Sequence, residues 1–164
     1  MKRGIGLTLL GLVLTPYGVV AQTQNRTGER NDAPDQPEIV FVCQHGAALS
    51  VVPAAYFNKL AKEEHLNVHA IARGVTPQQD VSIIVGKGLR AGGVLSETKR
   101  PQILSAQDAA RTLRIVAFCL VPSKYSRIAP IETWSDVPAP SDYAAARDAI
   151  LSHLRQLKAD TNKR

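Results

Sequence analysis

Glu38-Ile39-Val40-Phe41-Val42-Cys43-Gln44-His45-Gly46-Ala47-Ala48-Leu49-Ser50 is the stretch that decides how this chain folds. Ile39–Val42 is a continuous apolar run, short enough for a buried strand. Cys43–Ser50 then reads as a tight loop opening a helix. A strand-to-helix turn points several backbone N–H groups at one spot, and the helix dipole adds positive potential there. Gly46 lets the backbone fold closely around an anion. Such a loop favours a nucleophilic thiolate at Cys43, and Ser50 is placed to donate a hydrogen bond to its sulfur. His45 sits inside the loop with two readings: a charge beside the sulfur when protonated, or a solvent-facing ring.

Working outward, the first helix is expected over Ser50–Glu64, with Val52, Tyr56 and Leu60 on one face and Pro53 tolerated in its first turn. Asn67–Ala72 reads as a second strand and Pro77–Gly86 as a short helix. Gly86–Gly93 reads as a break; its glycines lack phosphate-loop spacing and no strand precedes them. Ser105–Thr112 is a short helix with Ser105 as N-cap and Asp108 in the first turn. Arg114–Leu120 is a strongly apolar third strand, Ile131–Trp134 a short fourth, and Ser141–Ala159 a final helix with Ile150, Leu154 and Leu157 buried. Strands alternating with helices predict an α/β fold with a parallel sheet. Ligands bind such sheets at the carboxyl ends of the strands, where Cys43, Arg73 and Cys119 all fall.

The N-terminus has a different character. Lys2 and Arg3 precede an apolar stretch over 5–20, and Val19-Val20-Ala21 supplies small residues before Gln22. This reads as a signal peptide over 1–21, which predicts an exported, periplasmic or secreted protein with no membrane span after cleavage. Residues 22–37 are polar and read as a flexible leader. The domain is expected over 38–164, large enough for one proper core. Cleavage lowers the net charge of +6 by two. The remaining excess is scattered, which excludes nucleic-acid binding as a leading function. No Cys/His spacing suggests a metal site, and no cofactor is expected.

Over residues 38–160 the chain resembles the low-molecular-weight protein tyrosine phosphatases and the thioredoxin-coupled arsenate reductases that share their fold. That family opens with an apolar strand, then Cys, five residues, Arg and Ser. Cys43 matches the nucleophile, Gly46 the loop glycine and Ser50 the serine that supports the thiolate. Ala72-Arg73-Gly74 matches the small-residue loop after the second strand. Trp134-Ser135-Asp136-Val137-Pro138-Ala139-Pro140 matches the segment carrying the Asp-Pro general acid. The resemblance implies a four-stranded parallel sheet in the order 2-1-3-4 flanked by helices. It also implies an anion cradle made of Gln44, His45, Gly46, Ala47, Ala48 and Leu49.

Two departures bear on activity. Leu49 stands at the arginine position and Ala139 at the aspartate position. Losing one electrostatic donor to the transition state costs on the order of 10²–10³ in rate, and losing a general acid roughly 10²–10⁴. Asp136 or Asp142 is the remaining candidate acid. Arg73 is the candidate replacement guanidinium, folded over the Cys43 loop; its other reading is a solvated surface arginine.

In the arsenate-reductase branch a cysteine near the end of the third strand attacks the first. Cys119 sits in the matching place, while the expected third cysteine is absent from Val121-Pro122-Ser123-Lys124. Cys119 reads either as a redox partner of Cys43, with a disulfide favoured by export, or as a small buried apolar residue. The leading expectation is therefore an exported phosphatase-like domain, weak or inactive as a phosphatase. Its partner would be phosphate or a similar oxyanion, including that of a phosphorylated protein. The alternatives are a two-thiol redox protein and a non-catalytic oxyanion- or protein-binding domain.

Overall fold

A computed structural model describes Gln36 and residues 38–161. The expected signal peptide and most of the leader lie outside the described residues. Four strands run in the order β2-β1-β3-β4: β1 Glu38–Cys43, β2 His69–Gly74, β3 Thr112–Ala117 and β4 Ile131–Thr133. Every pairing is parallel. The helices are α1 Val51–Glu63, α2 Ile83–Ala91, α3 Ala106–Arg111, α4 Ser123–Ser126 and α5 Tyr143–Thr161. No described helix is long and apolar enough to cross a membrane. The sheet is the expected one.

Alternation along the strands divides the core in two. Ile39 and Phe41 of β1 and Ala70 and Ala72 of β2 pack with α1, α2 and α5. Val40 and Val42 pack with Ile115, Ala109 of α3 and Tyr125 of α4, on the other face. Successive side chains of a strand point to opposite faces, so β1, buried on both, reads as an unbroken apolar run.

The outer edge of β2 is covered in a way the sequence does not announce. Asn58 of α1 donates Nδ2–H to the Ala70 carbonyl at 2.8 Å and accepts the Ala70 N–H at 2.7 Å, standing in for a fifth strand. Further along, Gly74 N–H donates to Gln102 O and Leu104 N–H to Gly74 O. Both devices protect an edge that would otherwise offer free backbone groups.

The segment after β2 departs from expectation. The helix lies at Ile83–Ala91 rather than over 77–86, and it runs through Gly86 and Gly88 rather than breaking there. Gln78 N–H and Ser82 N–H donate to His45 O and Ala47 O, which commits them to the Cys43 loop rather than to a helical turn. Gly88 is demanded by packing: a methyl group there would collide with the Tyr143 ring of α5. Burial of Val85 and Leu89 compensates for poor glycine propensity. The four-residue α4 was not foreseen. The Ser105 cap is as expected: its hydroxyl accepts from Asp108 N–H, and the Asp108 carboxylate accepts from Ser105 N–H.

Candidate functional site

The Cys43 loop is shaped by backbone constraints first. Gly46 has φ +63°, a conformation glycine adopts without penalty. A methyl group at Gly46 would lie 2.9 Å from Gly74 N, and one at Gly74 would lie 2.7 Å from Gly46 N. The loop thus crosses the end of β2 with two glycines in mutual contact.

The carbonyls of the loop are tied down on one side. Val75, Thr76, Gln78 and Ser82 N–H groups donate to the oxygens of Cys43, Gln44, His45 and Ala47 at 2.8–3.2 Å. Thr76 Oγ1 also accepts from Gln44 Nε2 at 2.8 Å. Within the described residues, the N–H groups of His45 through Ser50 have no protein acceptor. The loop therefore spends its acceptors on the neighbouring segment and keeps its donors, at the head of α1, for something else.

Cys43 is buried at the end of β1, 7% exposed. Its sulfur lies 3.2 Å from Ser50 Oγ. Ser50 is fully buried and takes the N-cap position of α1, but its hydroxyl makes no capping bond. The usual capping acceptor is turned to the sulfur instead. Gln44 and His45 are exposed; Gly46 and Ala47 are buried; Ala48 and Leu49 are half-buried.

Arg73 has other partners than the loop. Its Nε and Nη2 donate to Asp108 Oδ2 and Oδ1 at 3.1 and 3.0 Å, and Nη1 donates to Ala72 O at 3.0 Å. The pair is largely buried, so the solvated reading does not describe it either. Register explains this. Arg73 is level with Val42, whose side chain serves the α3 face, whereas Cys43 follows the alternation of Phe41 on the α1 face. Burial would raise the Asp108 pKa, but hydrogen bonds from Arg73 and Ser105 outweigh it and hold the carboxyl below its ordinary value.

Asp136 is also engaged. His153 Nε2 donates to its two oxygens at 2.9 and 3.0 Å, and the His153 ring stacks on Trp134 at 4.5 Å. The His153 bond, with a backbone bond, pulls the exposed carboxyl below its ordinary value. A group held ionised is poorly suited to give up a proton. Asp142 caps α5, accepting from Ala145 N–H at 3.1 Å. Trp134 is buried against Phe41 and Phe118, and its indole N–H donates to Glu132. Asn58, His153 and the Asp108 partnership escaped sequence reasoning. Only the Ser105–Asp108 spacing offered a signal, and it spoke of a helix start.

Both cysteines are free thiols in this structure. Cys119 packs with the second cluster, on the α3–α4 side, while the Cys43 sulfur meets Ser50. Burial, then the charge of Cys43, pushes the Cys119 thiol up. Among the described residues no group of three or more His, Cys, Asp or Glu side chains is placed to hold a metal ion.

No family model matches the chain. No curated protein matches it in sequence either. Solved structures do. YfkJ from Bacillus subtilis superposes with a TM-score of 0.67 at 20% identity, covering 80% of this chain and 98% of that one. A protein tyrosine phosphatase from Entamoeba histolytica gives 0.66 at 16% identity, covering 78% and 97%. A thioredoxin-dependent arsenate reductase from Corynebacterium glutamicum gives 0.63 at 16% identity, covering 79% and 64%. The chain has the fold shared by the low-molecular-weight protein tyrosine phosphatases and the thioredoxin-dependent arsenate reductases.

Proposed function

We propose that this is an exported oxyanion-binding domain of the low-molecular-weight phosphatase fold, slow at phosphoryl transfer. The observation that carries the reading is the Cys43 loop itself. Its carbonyls are bound to residues 75–82, and its N–H groups from His45 to Ser50 lack protein acceptors among the described residues. Cys43 and Ser50 stand where a bound phosphate ester would meet a nucleophile. The same fold carries proteins named phosphatases and arsenate reductases, both of which handle tetrahedral oxyanions.

Catalysis is where the site is poor. Leu49 offers no guanidinium, Arg73 is committed to Asp108, and Asp136 is held as a carboxylate by His153. Turnover would begin with attack of the Cys43 sulfur on phosphorus, forming an S–P bond as the P–O bond breaks. The leaving oxygen would draw its proton from water, and a second water would release phosphate.

An aryl phosphate assay with phosphate titration tests the reading. Wild type should bind phosphate, turn over slowly and lose turnover in Cys43→Ser. Leu49→Arg should raise turnover about 10²-fold. Failure of a folded wild type to bind any phosphate or sulfate oxyanion would defeat the proposal.

A two-thiol redox pair of Cys43 and Cys119 is the second reading, and it rests on Cys119 following β3 at the same sheet end as Cys43. It requires that exported protein lose both free thiols together. It also requires that Cys43→Ser and Cys119→Ser be equally damaging.

A further inference from the structure

We infer that the ligand of the Cys43 loop is a singly charged oxyanion carrying an apolar group, of the alkyl sulfate type, rather than a doubly charged phosphate monoester. The inference rests on the oxyanion reading above and is carried by two further observations.

The first is charge. Within Cys43–Ser50 the only ionisable side chains are Cys43 and His45, and neither is a permanent cation. The Arg73 guanidinium is satisfied by Asp108 and Ala72 O on the other face of the sheet. Lys124 lies over the Tyr125 ring, 4.9 Å from its centroid. Asp136 adds a negative charge of its own to the same sheet edge. The positive potential built into the loop itself is that of the α1 N-terminus, worth roughly half an elementary charge, together with neutral N–H donors. That inventory matches one negative charge and leaves a second uncompensated beside a buried sulfur.

The second is the rim. Leu120, one residue past Cys119, is 93% exposed. Ile83 and Ile84 are 73% and 50% exposed. They directly follow Ser82, whose N–H holds Ala47 O of the loop. Leu49 lies half-buried in the loop itself. Three segments that leave the carboxyl ends of β1, β2 and β3 thus carry apolar side chains, at Leu49, Ile83–Ile84 and Leu120, and exposed apolar side chains at such an edge suit the apolar part of a ligand. Each CH₂ of a ligand buried there should tighten binding about fourfold.

Calorimetric titration at pH 8, with every amphiphile below its micelle concentration, tests this. The probes are octyl sulfate, methyl sulfate, octyl phosphate and inorganic phosphate. Octyl sulfate should bind wild type at least tenfold more tightly than octyl phosphate, which is doubly charged at that pH. It should also bind at least tenfold more tightly than methyl sulfate, and an excess of methyl sulfate should displace it. Leu120→Ser should weaken octyl sulfate severalfold and leave methyl sulfate unchanged. Leu49→Arg should reverse the sulfate–phosphate order. Three results would overturn the inference: octyl phosphate binding as tightly as octyl sulfate, no chain-length effect, or octyl sulfate that excess methyl sulfate cannot displace. Failure of all four anions to bind would instead overturn the oxyanion reading beneath it.

Discussion

Cys43 and Arg73 stand one register step apart on neighbouring strands, yet they belong to different halves of the molecule. Cys43 is level with Gly74, and Arg73 with Val42. The Cys43 half is built from backbone: two glycines in contact, four captured carbonyls and a serine turned from its cap to a sulfur. The Arg73 half is built from charge: a guanidinium fork on a carboxylate that also closes a capping box. The difference teaches that a binding loop can keep its shape while the ionic groups near it are spent on stability. Side-chain alternation decides which of the two a residue serves.

Gly46→Ala should be the most damaging change. The new methyl would meet Gly74 backbone atoms at 2.9–3.1 Å, which no side-chain rotation relieves, and φ +63° would add strain. We expect a loss of about 3 kcal/mol in urea denaturation, together with loss of phosphate binding. A folded Gly46→Ala variant with undiminished affinity would mean that the loop geometry is not what holds the anion.

Asp108→Ala attacks the other half. It strands the largely buried Arg73 and removes the α3 capping box. The expected cost is about 2 kcal/mol, with phosphate affinity changed less than about twofold because Arg73 faces away from the loop. A marked gain in affinity would show that the freed arginine can reach the site after all. The sign of the pH effect follows from the lowered Asp108 pKa. The carboxylate contributes stability above its unfolded value of 3.8, and that contribution is lost as pH falls through the lower folded value. Asp108→Asn should therefore lose stability at neutral pH but show a flatter acid limb than wild type.

Asn58→Ala should act on stability alone. Asn58 bonds both backbone groups of Ala70 on the outer edge of β2. Its loss should cost about 1–2 kcal/mol and raise amide exchange at Ala70 without touching the anion loop. Retained protection at Ala70 would mean that water or another group covers that edge.

The sheet was legible because its strands announce themselves. Ile39–Val42 and Ile115–Phe118 are apolar runs with nowhere to go but a doubly covered sheet. The Ser105–Asp108 spacing marked a helix start. The second helix was misread because Gly86 and Gly88 look like breakers until the Tyr143 ring is known to occupy the space a side chain would need. Arg73 was misread for the opposite reason: its neighbours in sequence sit at the site, but its strand parity sends it elsewhere. Long-range pairs such as Arg73–Asp108 and Asp136–His153 leave no local pattern to read. The Cys43 loop gave away its shape through Gly46 and Ser50, while the fate of its missing charges depended on partners 17 to 35 positions away.

Asp136→Asn should have the smallest effect, and its smallness is informative. A working general acid contributes roughly 10²–10⁴ to rate, so its removal should collapse aryl phosphate turnover and erase one limb of the pH profile. Asp136 is instead bound by the His153 ring, which is itself stacked on Trp134. That arrangement favours the carboxylate and locks the loop after β4 onto α5. We therefore expect turnover to change less than about twofold in Asp136→Asn, with an unchanged pH profile. His153→Ala separates the two roles further. If Asp136 only anchors the loop, losing His153 leaves turnover low. If Asp136 is a latent acid restrained by His153, its release raises turnover and introduces a new acid limb that the Asp136→Asn, His153→Ala double variant lacks.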